Sequence, residues 1–102
     1  MLTVEQANEL QKSLEGKLIA TSSARGSVNR FILSHLRDGF CAGQPRFALV
    51  GEDPVWCVPI VFARPERALG EVGEVFVQAL SGSIVGFTPP SEIYRNAQRL
   101  LP

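Results

Sequence analysis

The sequence predicts an α+β domain, a four-stranded antiparallel meander with N- and C-terminal helices packed on it, in the order α-α-β-β-β-β-α. Three observations predict it. Apolar residues recur at helical spacing near both ends of the chain. From Arg46 to Phe87 the pattern changes to short apolar or alternating runs. Those runs are joined by turns containing Gly, Pro, Asp and Ser.

The first helix is expected over residues 3–15. Thr3-Val4-Glu5-Gln6 fits a capping box, in which hydroxyl and amide side chains exchange bonds with orphan backbone amides. Val4, Ala7, Leu10 and Leu14 share one arc, and Gly16 suits the position just past the end. Thr21–Ser27 (TSSARGS) reads as a loop. Ser27 is then the cap of a second helix reaching Asp38, closed by Gly39. Val28, Phe31, Ile32, His35 and Leu36 share its apolar face.

The first strand is Arg46–Val50, and Gly51–Pro54 is a turn. Val55–Ala63 has no charged residue and is apolar on both faces, which predicts cover on both. Pro59 cannot donate to a ladder, so it places this strand at an edge or marks a bulge. Arg64–Gly73 reads as a connection. A hairpin follows over Glu74–Phe87, with Gly82 expected at positive φ in its turn. Phe76 and Leu80 share a face with Glu74 and Gln78, so the second sheet face is half apolar. Thr88-Pro89-Pro90-Ser91 stops the strand and starts the last helix, 91–101, with Ser91 as cap.

The 102 residues make one domain, residues 1–102. A chain of this length should bury roughly 65% of its unfolded surface, enough for a core without a metal or disulfide. The 45% hydrophobic content excludes disorder. No apolar run reaches membrane-spanning length and the start lacks a signal-peptide pattern, so a cytoplasmic location is expected. Cys41 and Cys57 are sixteen apart, neither a zinc spacing nor a redox pair, and read as free thiols. Ten basic residues balance ten acidic ones, which argues against nucleic acid as a partner. The balance hides a gradient: Lys17–Arg46 holds five basic residues against Asp38, and Glu52–Glu74 five acids against Arg64 and Arg67.

The hairpin VFVQALSGSIVGF (Val75–Phe87) resembles the terminal hairpin of PepSY-like and cystatin-like small bacterial domains, in which a V-x-V-D-A-x-T-G-x-I strand follows an aromatic strand beginning with Trp. Trp56-Cys57-Val58 and the leading LTVEQANELQKSL helix fit the same pattern. Gln78 stands where it has Asp, and Ser81 where it has Thr. The likeness covers under half of the chain and omits the 27–38 and 91–101 helices. It implies a protein-binding, inhibitory or immunity role rather than an enzyme. The whole chain also resembles short bacterial proteins of unassigned activity.

No catalytic constellation is expected. His35 lies on an apolar helix face and reads as a core histidine, although Cys41 lies six residues away. His35, Cys41 and Cys57 lack metal-ligand spacing. The pairs Glu52/Asp53 and Glu71/Glu74 fall where carboxylates stay wet, without the apolar pocket that general acid–base work needs. No metal or cofactor is expected. Two functional readings remain. The first is a non-enzymatic interaction module, antitoxin-like or immunity-like, that contacts a protein partner or a second copy through Trp56, Phe76 and Leu80. The second is a small-ligand or anion binder, with enzymatic consequences left open, using Ser22, Ser23, Arg25 and Ser27 before a helix N-terminus.

Overall fold

The computed structural model describes residues 3–6 and 16–102. Of the expected 3–15 helix, only the start falls within the described residues. There the capping box is formed: the Gln6 N–H donates to Thr3 Oγ1 at 3.1 Å, and the Thr3 N–H to Gln6 Oε1 at 2.9 Å.

The architecture is α+β, in the expected order. Helix α1 is Thr21–His35 and α2 is Pro90–Leu100. The strands are β1 (Phe40–Ala42), β2 (Arg46–Val50), β3 (Asp53–Arg64), β4 (Arg67–Gln78) and β5 (Ile84–Phe87). The sheet is antiparallel in the order β1-β3-β4-β5, and β2 pairs with the same edge of β3 as β1 does. β1 and β2 are thus one edge strand broken at residues 43–45, and the sheet remains a meander of four strand positions. β1 was not expected; at three residues it is too short for a periodicity to declare itself.

Four expectations about boundaries are corrected. Thr21–Ser27 is helical rather than a loop, and Ser27 lies within α1 instead of capping it. The buried stripe Val28, Phe31, Ile32 extends back one turn to Ala24, whose methyl is fully buried. α1 also ends at His35, where the Leu36 N–H closes onto the Ile32 carbonyl, three residues before Asp38. The connection predicted over 64–73 shrinks to Pro65-Glu66, with most of the rest in β4. At the last helix the cap is Pro89, without a side-chain bond, and Ser91 is already inside α2.

β4 escaped notice because it is irregular. Ile60 pairs with Gly73 and Val61 with Glu71, so Val72 has no partner. Phe62 pairs with Gly70 and Ala63 with Ala68, so Leu69 has none. Each bulge resets the two-residue alternation and bends the strand. Val72 thereby turns into the core, 2% exposed, and its carbonyl accepts a hydrogen bond from Asn96 Nδ2 of α2 at 2.9 Å. α2 sits close to β4 at these points. A Cβ on Gly73 would lie 2.9 Å from Ile93 Cγ1, and one on Gly70 3.1 Å from Leu100 Cδ1.

Of the two expectations for Pro59, an edge or a bulge, the edge is corrected, and the β3–β4 register shifts close by, between Ile60 and Val61. β3 is an interior strand, paired with β1 and β2 on one side and β4 on the other. The Pro59 carbonyl accepts the Gly43 N–H, so its nitrogen points the same way, into the break between β1 and β2. A missing donor costs little where the neighbouring strand is interrupted.

The core lies between the helices and one sheet face. Trp56, Val58 and Ile60 of β3 and Val75 and Val77 of β4 meet Ala24, Val28, Phe31 and Ile32 of α1 and Ile93 and Ala97 of α2. Fully burying a side chain such as Ile93 contributes roughly 1.5–3 kcal/mol. No helix among the described residues is long and apolar enough to cross a membrane.

Candidate functional surface

Residues of β3 alternate between the two faces, and their partners follow. Trp56 opposes Phe47 and Val77 on the core face. Cys57 opposes Arg46 and Phe76 on the outer face. Trp56 is therefore separated from Phe76 by the sheet itself. It is 4% exposed, its Nε1–H donates to the Ile19 carbonyl at 3.2 Å, and its ring meets Phe47 edge-on at 5.8 Å. Of the three residues expected to contact a partner, Trp56 is core. Phe76 is half-buried on the outer face, and Leu80 is exposed in the β4–β5 turn.

The outer face has an apolar centre. Ala48, Cys57, Val61 and Phe76 are half-buried there, and none of them joins the core cluster. The Phe76 ring lies over Gly86 of β5, where an added Cβ would stand 3.4 Å from it. Charge surrounds this centre: Arg46 pairs with Glu71 at 3.7 Å, with both side chains well exposed, and Glu74 flanks Cys57. Burial pushes the Cys57 thiol above its ordinary pKa. Glu74 adds to the shift and the Arg46 guanidinium opposes it.

Beside this face runs an open edge. β5 pairs with β4 alone among the described residues. Its side chains and those of the adjoining turn are apolar and exposed: Leu80 at 47%, Ile84 at 38%, Val85 at 59% and Phe87 at 49%. Gln78 holds the turn, its Oε1 accepting from the Leu80 and Ser81 amides, and Gly82 takes φ +82° as expected. Sequence reasoning did not single out Ile84, Val85 and Phe87. A signal was present, since no residue between Glu74 and Glu92 carries a charge.

The predicted anion loop is the first part of α1, and its residues divide. Ser22, Ser23 and Ser27 line a shallow groove with Arg30 of α1 and Ser81 and Gly82 of the hairpin turn. Arg25 is not among them. It reaches the other way, where its guanidinium donates to the Ala42 carbonyl at 3.3 Å, while Asn29 Oδ1 accepts the Ala42 N–H at 3.0 Å. Both backbone groups of β1's last residue are thus bonded to side chains of α1.

His35 is exposed, so the core-histidine reading is corrected. Its ring stacks on Phe31 at 4.3 Å, and Nδ1 donates to the Phe31 carbonyl at 3.0 Å. Helical spacing put it beside the apolar stripe, but it lies in the last turn, beyond the sheet's cover. Cys41 is an exposed free thiol and Cys57 a half-buried one. Glu52 and Asp53 stand exposed at the β2–β3 turn. Among the described residues no group of His, Cys, Asp and Glu gathers as a metal site would. The chain matches no family model, and neither curated proteins nor solved structures include a significant match to it.

Proposed function

We propose that this protein is an interaction module that binds a partner protein through the outer face of its sheet. One observation carries the reading: Phe76 and Cys57 form a half-buried apolar pair, with Arg46, Glu71 and Glu74 around it. An apolar centre with a charged rim is the anatomy of a protein contact surface. The rim carries both signs, so it can fix orientation as well as exclude wrong partners. The hairpin's likeness to PepSY-like and cystatin-like domains, which act by binding proteins, supports the same reading. Binding of this kind needs no catalytic group; the module would act by masking or positioning its partner.

The test is Phe76→Asp in tagged protein purified from its own cells, with co-purifying proteins quantified by mass spectrometry. The parent should retain one protein at defined stoichiometry, and the variant should lose it while keeping its circular dichroism spectrum. A partner retained by the folded variant refutes the reading.

A second reading is favoured by the groove that gathers Ser22, Ser23, Ser27 and Arg30. There an anion would meet hydroxyl donors and a guanidinium, with Arg30 taking the role expected of Arg25. Inorganic phosphate should then raise the melting temperature of the parent but not of Arg30→Ala. No rise in the parent excludes it.

A further inference from the structure

We infer that a second copy of this chain pairs with the open edge of β5, antiparallel and about a two-fold axis. The backbone of β5 is arranged for such pairing. Ser83 and Thr88 direct their groups to β4, the Ser83 carbonyl accepting from Gln78 and the Thr88 N–H donating to Glu74. The ladder alternates, with Gly86 opposite Phe76 and Val85 bulged, so Ile84 and Phe87 turn their N–H and C=O groups to the open side. In an antiparallel pair centred between Val85 and Gly86, Ile84 stands opposite Phe87 of the second copy, and the reverse. Outward donors then meet outward acceptors at both positions. The side chains match too. Ile84 and Phe87 oppose Val77 and Val75, so both lie on the helix-bearing face. The inner side of the Phe87 ring rests on Phe31 at 4.9 Å, and 49% of the residue remains exposed.

Proteins blunt exposed edges with short strands, bulges, or Lys, Glu and Pro within the strand. β5 is short and bulged but carries no charge and no proline, and the chain is uncharged from Val75 to Ser91. A second copy brings an equally neutral strand, with Arg30 and His35 of α1 beside Ile84 at the margin of the pair.

The opposite edge is interrupted. It is broken into β1 and β2, Ala42 already has both backbone groups bonded to Arg25 and Asn29, and β2 carries Arg46. A two-fold pair consumes the β5 edge of both copies, so an assembly made through that edge closes at two. The dimer would carry two Phe76 faces on one continuous sheet. It stands whether or not a further protein binds that face.

The test is size-exclusion chromatography with light scattering over a dilution series of the full chain. A short edge gives a concentration-dependent dimer, with mass falling toward the monomer on dilution. Ile84→Lys should be monomeric throughout, and Val85→Lys, at the most exposed position of the strand, serves if the first variant fails to fold. In the parent, amide exchange at Ile84 and Phe87 should slow as concentration rises. A parent that stays monomeric overturns the inference. So does a dimer unaffected by the folded lysine variants, or a parent that grows into larger polymers. Phe76→Asp should keep the dimer while losing a partner, which separates failure here from failure of the proposed function.

Discussion

The Pro59 carbonyl accepts the Gly43 N–H at 2.8 Å, and the Pro59 ring fills the space that a side chain at Gly43 would need. A Cβ there would stand 2.8 Å from Pro59 Cγ and 3.1 Å from Val61 Cγ2. The break in the edge strand and the proline of the interior strand are one feature. Gly43→Ala should therefore destabilise by about 1–3 kcal/mol, the usual range for overpacking. Urea denaturation should show a lower midpoint at unchanged slope. An unchanged midpoint would mean that the edge strand shifts freely.

Gly26 makes the opposite prediction. It lies inside α1, its φ is not positive, and an added Cβ would meet only Arg30 Nη1 at 3.7 Å. Gly26→Ala should stabilise by about 0.5–1 kcal/mol, because glycine is the poorer helix former. The same substitution bears on where the helix starts. A loop over Thr21–Ser27 would gain no helix propensity, so a destabilised variant would count against the early start of α1.

Asn96 bonds the carbonyl of bulged Val72, a group that the ladder leaves unpaired. Removing the amide leaves a buried acceptor without a partner, which costs about 1–3 kcal/mol. Asn96→Ala should show that loss on thermal or urea unfolding, with Asn96→Asp losing a similar amount for want of a donor. Asn96→Ala at parental stability would mean that water replaces the amide.

Arg25 and Asn29 close the β1 edge through Ala42. Replacing both by Ala should free a donor and an acceptor at the sheet edge. The expected loss is about 1–2 kcal/mol for two partly exposed hydrogen bonds. The double variant should also scatter light on prolonged incubation where the parent stays clear, since an unsealed edge pairs with others. Equal scattering would assign these side chains to α1 packing alone.

The meander was legible because β2, β3 and the β4–β5 hairpin keep clean apolar runs with Gly, Pro and Asp in their turns. Gly82 at positive φ and the Thr3–Gln6 capping box follow from local chemistry and are found as expected. The start of β4 was hidden because the bulges at Leu69 and Val72 shift the alternation by one residue each. The start of α1 was hidden because Ser, Ser, Gly and Ser are loop formers. Only Ala24, one small buried residue, marks the helix. At the candidate surface, Phe76 was legible from its half-apolar alternation. Trp56 lies in the core because its face of β3 is the covered one, which residue type alone does not say. The roles of Arg25 and Asn29 depend on α1 meeting β1, a tertiary contact with no local signature.

Cys57 is half-buried on the outer face, opposite Arg46 and Phe76. Burial raises its pKa, Glu74 raises it further, and Arg46 lowers it. The folded thiol thus holds its proton to higher pH than the unfolded one. Its contribution to stability is complete below the unfolded thiol range and is lost as pH rises through that range to the folded value. Alkylation by iodoacetamide in a Cys41→Ser background should therefore be slow at neutral pH and quicken only above the ordinary thiol range. Arg46→Gln should move the profile to higher pH by removing the attraction that favours thiolate, and Glu74→Gln should move it lower by removing a repulsion. A shift in the reverse sense for either would show that these groups do not face the thiol. That would also dismantle the arrangement of charge around the Phe76–Cys57 centre on which the proposed contact surface rests.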